Sequence, residues 1–252
     1  MEWVDLSLLA APMVAGLLVL STHVPLGMEV LRRGILFIDL AVAQVAALGV
    51  IAAGLLHFEA LAGSVGVQLA AGLAALAAAG LLAWTERRWP GLQEALIGLV
   101  FVLASALGIL LLAGNPHAGE RLRDLLVGQI LWVDWRALFP VAVLYAGVLA
   151  GWRWLHERGK HAGLGFYLLF AVAVTASLQL VGVYLVFASL VAPAVATAGA
   201  ARHRVALAFA LGTVSYGVGL LASLMFDLPA GAAIACVLVL AAFGGLGFVR
   251  AR

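Results

Sequence analysis

Asp39 carries the position that most calls for a chemical reason. It is an ionisable carboxyl inside 34–56, a run that is otherwise almost wholly apolar. Five residues beyond Gly34, it stands roughly 7–8 Å along a helix axis. An ionisable side chain at such a depth is costly, and it marks a path for substrate or ion by default. The competing reading is an anchor, with Asp39 pairing to Arg32 or Arg33 near the membrane surface. Gln44 follows on the same run. A second polar group, Ser177, Gln179, Tyr184 and Ser189, brackets Gly182 within a long uncharged stretch. Broken helices expose backbone groups and are tolerated only where they line a cavity or are buried in protein. These four residues are therefore the second candidate lining. The other uncharged polar residues of the apolar runs, such as Gln68, Ser105, Thr175 and Thr213, fit ordinary interhelical hydrogen bonds.

The elements that must position these residues follow from composition. The 252 residues are 65% hydrophobic and only 10% charged, with a mean hydropathy of +1.16. A soluble domain carries about 25% charged residues, so only a bilayer suits this much apolar surface. The net charge of +2 and the scattered basic residues argue against a nucleic-acid partner. The one cysteine, Cys236, allows no disulfide framework within the chain. Glu2 and Asp5 precede the first apolar run without a basic region, which reads as the start of a span rather than a cleaved signal.

A membrane helix needs about 20 mostly apolar residues. Runs meeting this are 6–22, 34–56, 61–84, 92–113, 137–155, 205–226 and 229–249. The stretch 164–199 is too long for one span and divides at Gly182 into 165–181 and 183–199. The fold class is thus all-α, a polytopic transmembrane bundle of eight or nine spans forming one domain over 1–252. Nine crossings place Arg32-Arg33, Arg87-Arg88, the Arg153 to Lys160 loop, Arg202-His203-Arg204 and the C-terminal arginines on one side. By the bias of Lys and Arg toward the cytoplasm, that side is inner. The 114–136 loop is the exception. Its Leu122, Leu125, Leu126, Ile130 and Val133 recur at helical spacing beside Trp132 and Trp135, which suits a helix lying in the outer interface, or else a structured loop.

Enzyme signatures are missing: the chain has no H-E-x-x-H, no G-x-S-x-G and no phosphate-binding P-loop. His156, Glu157, Lys160 and His161 lack a usual metal-ligand spacing. A loop facing solvent or phospholipid accounts for them better.

Three stretches resemble the permease subunits of metal-ion ABC importers, the family that takes up zinc, manganese or iron. They are "VLRRGILFIDLAVAQVAALGVIAA" from Val30, "GQILWVDW" from Gly128, and "QLVGVYLVFASLVAPAVATAGAARHR…FDLPAG" from Gln179 to Gly231. They cover about a third of the chain, in family order, and the third is the most specific. The resemblance extends to the bundle of metal-ion and cobalamin-type importer permeases.

What the resemblance implies is a multi-pass permease of the inner (plasma) membrane, paired with a second copy of itself. Separate cytoplasmic ATPase subunits would drive it, so the chain itself is not an enzyme. An extracytoplasmic metal-binding protein would deliver the cargo. The divalent ion would be transported rather than held as a cofactor. The path would run by Asp39, Gln44, Ser177, Gln179, Tyr184 and Ser189. The ATPase would meet Arg153, His156, Glu157, Arg158, Arg202 and Arg204, and the delivery protein Arg121, Arg123 and Asp227. Two departures mark a variant branch. The family often places a His four residues after the Asp, where this chain has Ala43 beside Gln44. The segment that usually docks the ATPase is replaced by the short basic connection "RWLHERGKHAG". That shortening leaves room for an ATPase-independent carrier or channel of the same fold, or for a non-transporting scaffold or sensor.

Overall fold

The computed structural model describes residues 6–55, 58–113, 128–158, 163–200 and 202–250. Among these, regular structure is helical throughout: α1 (Ala10–Arg33), α2 (Ile38–Leu55), α3 (Phe58–Arg88), α4 (Gln93–Leu112), α5 (Trp135–Glu157), α6 (Leu164–Val181), α7 (Val183–Ala196), α8 (Arg204–Phe226) and α9 (Ala230–Arg250). Among the described residues, seven helices are long and apolar enough to cross a membrane, and Val183–Ala196 and Ala230–Gly245 are shorter apolar helices. An all-helical chain is what a bilayer demands, since each helix satisfies its backbone polar groups internally.

The boundaries differ from the sequence reading in two places. The first span does not stop near residue 22. It runs on to Arg33 with Pro25 inside it, and Thr22, His23 and Glu29 are buried along the way. The apolar run ends at residue 22 because Thr22, His23 and Pro25 interrupt it, but Thr22 and His23 turn their side chains onto the Val19 carbonyl at 3.1 and 3.0 Å, and the helix continues through them. The amphipathic helix expected through residue 133 is also not found in its described part. Residues 130–132 form a single 3-10 turn, preceded by Gly128 at φ 68° and followed by extended Val133. Residues 114–127 lie outside the described residues.

The chain divides into two compact units. The first comprises residues 1–33, 126–146 and 179–252. In it α1 packs on α7 and α8, and α9 packs on the same two helices. Small residues set these approaches. A side chain at Gly27 would strike the Leu190 carbonyl, and one at Gly16 or Gly212 would strike Tyr216 or Leu20. The second unit comprises 34–125 and 147–178, with α2, α3 and α4 packed on one another. A polar knot inside it holds the start of α4. The Gln93 amide donates to the Leu82 carbonyl at 2.9 Å and to the Tyr167 hydroxyl at 3.0 Å, while its oxygen accepts from Thr85 at 2.9 Å.

Candidate functional site

Asp39 lies in the first turn of α2 and is 1% exposed. Both of its carboxyl oxygens are buried without a hydrogen-bond partner. The anchoring alternative gave it Arg32 or Arg33. Those arginines instead grip Glu29 on their own helix, with Arg32 Nε at 2.8 Å and Arg33 Nε at 2.7 Å from its carboxylate. Glu29 was missed by sequence reasoning because the first span was ended too early. Its i, i+3 and i, i+4 spacing to the arginines was the signal that could have found it. Gln44 is half-buried further along α2.

The helix break is where the sequence placed it. Gly182 has φ 78° and ψ 166°, a region essentially closed to side-chain-bearing residues. Gly128, at φ 68°, nests against it, so that a side chain there would overlap the backbone of Val181 and Gly182. The four polar residues around the break divide into two kinds. Gln179 is exposed and Tyr184 is 51% exposed. Ser177 is fully buried and donates to the Ala173 carbonyl at 2.7 Å, and buried Ser189 shares a 2.9 Å hydrogen bond with the Tyr216 hydroxyl. Among the described residues no group of three or more His, Cys, Asp or Glu side chains is placed to hold a metal ion.

At the candidate coupling end, α5 stays helical to Glu157, so Arg153, His156 and Glu157 sit on its exposed last turns rather than in a loop. Arg153 Nε pairs with Glu157 at 2.8 Å, and the Arg158 guanidinium lies 4.3 Å over the Trp154 ring. Arg202 is exposed in the turn before α8. Arg204 reaches back from the first residue of α8 to donate to the Ala194 carbonyl at 3.1 Å, satisfying an orphan acceptor at the end of α7. On the opposite sequence-assigned face, Arg121 and Arg123 lie outside the described residues. Asp227 caps α8 at φ 50°, and Ser223 Oγ closes its turn by donating to Leu228 O at 2.6 Å. Just beyond that turn, residues 229–231 and the 3-10 turn with its flanks, 128–132, line an open cleft of ≈ 340 Å³. Two of the sequence stretches that carried the resemblance thus meet in one place.

Apolar helices throughout the described residues, a buried unpaired carboxyl and a break in a long apolar stretch define a polytopic membrane protein with polar groups set among its helices. The chain belongs to the ABC 3 transport family, whose model matches residues 5–156 and 160–248, and is a multi-pass protein of the plasma membrane. It is 25% identical over 166 residues to a probable metal transport system membrane protein of Chlamydia trachomatis, a match spanning 58% of this chain and 57% of that one. It is 29% identical over 189 residues to an uncharacterized membrane protein of Synechocystis, covering 67% of each chain. The fold is similar to that of PsaBC from Streptococcus pneumoniae, solved in complex with a Fab, at TM-score 0.74 and 18% identity, over 96% of this chain and 91% of that one.

Proposed function

We propose that this chain, acting as one permease domain over 1–252, is the membrane subunit of an ABC-type importer that moves a divalent metal ion inward. Zinc, manganese and iron are the candidate cargoes. The observation that carries the reading is Asp39, a carboxyl held dry within a spanning helix with neither oxygen satisfied. Such a group is expensive in a bilayer unless a cation visits it. With Gln44 further along α2 and no cluster of three ligands among the described residues, the ion would be held weakly enough to leave. The exposed polar pair Gln179 and Tyr184 supports a second copy of the chain. Polar surface beside a helix break does not suit lipid, so this face lines a path between two protomers. Ser177 and Ser189, bonded inward, support that wall from behind.

Delivery of the ion by an extracytoplasmic binding protein fits the cleft beside Asp227, with Arg121 and Arg123 in the adjoining segment. On the inner side only residues 158–163 separate α5 from α6, too few for a docking helix. Coupling to a separate ATPase therefore falls to the turn at 197–203, held by Arg204, with the Arg153–Arg158 turns beside lipid or the motor. The same short connection favours a second reading, a carrier of this fold without an ATPase. Metal uptake by cells dependent on this chain tests the proposal: Asp39→Asn should lower it at least about tenfold, and unchanged uptake would refute the assigned path. Co-purification separates the two readings. A bound ATPase supports the importer, and metal flux into liposomes without ATP supports the carrier.

A further inference from the structure

Asp39 does not stand alone at the start of α2. α4 packs on α2, and Glu94, in the first turn of α4, turns its carboxylate toward the residues that lead into α2. Its Oε1 accepts from the Phe37 N–H at 3.3 Å, two residues before Asp39. Capping of a helix start accounts for that oxygen, but not for the other. Glu94 Oε2 is buried without a partner, as are both oxygens of Asp39. Two helices therefore begin side by side with two carboxyl groups close enough to feel each other's charge, and three of their buried oxygens lack a well-formed hydrogen bond. Their free N–H groups and dipoles favour the ionised carboxylates, with the N–H groups of Leu36 and Phe37 turned toward Glu94 and those of Asp39 and Leu40 toward Asp39.

Glu94 is also held there. Its neighbour Gln93 is fixed by three hydrogen bonds to Leu82, Thr85 and Tyr167, so the first turn of α4 has little freedom to swing away. The sequence offered no hint of this, because Glu94 stands at the edge of its apolar run, where an acidic residue reads as an ordinary helix start.

We infer that Glu94 is a second carboxylate for the transported cation, forming with Asp39 a two-acid station at the inner end of the path. The inference rests on the metal-import reading above. It goes beyond it by adding a residue and a place. The inner location follows from the basic residues preceding each helix, Arg32-Arg33 before α2 and Arg87-Arg88 before α4. Two carboxylates from different helices suit a hard or borderline divalent ion. A station of two acids without imidazole or thiolate would release its ion readily, as an exit should.

The test uses the full chain in lipid nanodiscs, titrated separately with Zn²⁺, Mn²⁺ and Fe²⁺. Bound metal and the metal-induced rise in melting temperature are both read. Loss of a partner that merely orients a ligand weakens metal affinity by about 10–100-fold, and removing a carboxylate that faces the ion should cost at least as much. Glu94→Gln keeps an oxygen to accept from Phe37, so it removes charge with little change of shape. Its affinity should fall by that factor, while Glu86→Gln, which removes equal charge from α3, should bind as wild type does. Each melting shift is read against the variant's own metal-free value, which separates a variant that is only less stable. Wild-type affinity and a wild-type shift in Glu94→Gln would overturn the assignment while leaving the import reading intact. A wild-type chain that binds none of the three metals, in cells whose uptake does not depend on it, would overturn the import reading itself. Binding lost in Asp39→Asn but retained in Glu94→Gln would limit Glu94 to capping α2 and refute its role as a ligand.

Discussion

Replacing Gly182 by alanine tests whether the break in the long apolar stretch is imposed by backbone conformation. The residue sits at φ 78° and ψ 166°, where a side chain costs about 1–3 kcal/mol. Alanine would otherwise favour helix over glycine by about 1 kcal/mol. A continuous helix from Leu164 to Ala196 would be 33 residues, or roughly 50 Å, far beyond a hydrocarbon core of about 30 Å. The chain cannot relieve the strain by fusing α6 and α7 without pushing one end out of the membrane. Gly182→Ala should therefore destabilise by about 1–3 kcal/mol, lowering the melting temperature by roughly 2–12 °C for a chain of this size. Gly217→Ala is the control. It lies within α8, where an added Cβ would meet no atom within 4 Å, and should be neutral or stabilising by about 0.5–1 kcal/mol. Melting of both variants in the same nanodiscs, followed by intrinsic tryptophan fluorescence, gives the comparison. If Gly182→Ala melts with Gly217→Ala, the break is set by packing and not by its glycine.

Two further substitutions probe the polar groups that the bundle buries. Gln93→Leu removes one hydrogen bond each from the Thr85 hydroxyl, the Leu82 carbonyl and the Tyr167 hydroxyl, and should cost about 1–3 kcal/mol in melting experiments; Tyr167→Phe, which removes one of those bonds, should cost less. A double-mutant cycle of Ser189→Ala and Tyr216→Phe should give a coupling of about 0.6 kcal/mol, with metal uptake unchanged if that pair only joins α7 to α8.

How far these features were legible depends on the range over which each is determined. The helical class, the membrane setting and the Gly182 break were readable, because hydrophobic run length and a single uncharged 164–199 stretch are local properties. That Asp39 lies inside a helix of the bundle was readable for the same reason, as one charge in an apolar run. Two kinds of feature were not. The extension of α1 to Arg33 was hidden because Thr22, His23 and Pro25 interrupt the apolar run, and only the structure shows Thr22 and His23 bonding back to the Val19 carbonyl. The partners Glu94, Gln93 and Tyr167 were hidden because their meaning lies in which helix they touch. The contact from Gln93 to Tyr167 spans 74 positions of sequence, and no periodicity encodes it.

The same distinction orders the polar residues around the break. Sequence placed Ser177, Gln179, Tyr184 and Ser189 together because they flank one glycine, and they form one group only by that measure. Burial separates them: the two serines spend their hydroxyls on Ala173 and Tyr216, while Gln179 and Tyr184 face outward. A hydroxyl already bonded to protein has little left to give a passing ion, whereas an exposed amide and phenol can exchange hydration for contact without first breaking a bond. The proposed route then has two kinds of station, a neutral polar face at the helix break and acidic groups at the starts of α2 and α4. Neutral oxygens make a shallow well and carboxylates a somewhat deeper one, yet two acids without imidazole or thiolate still let the ion go.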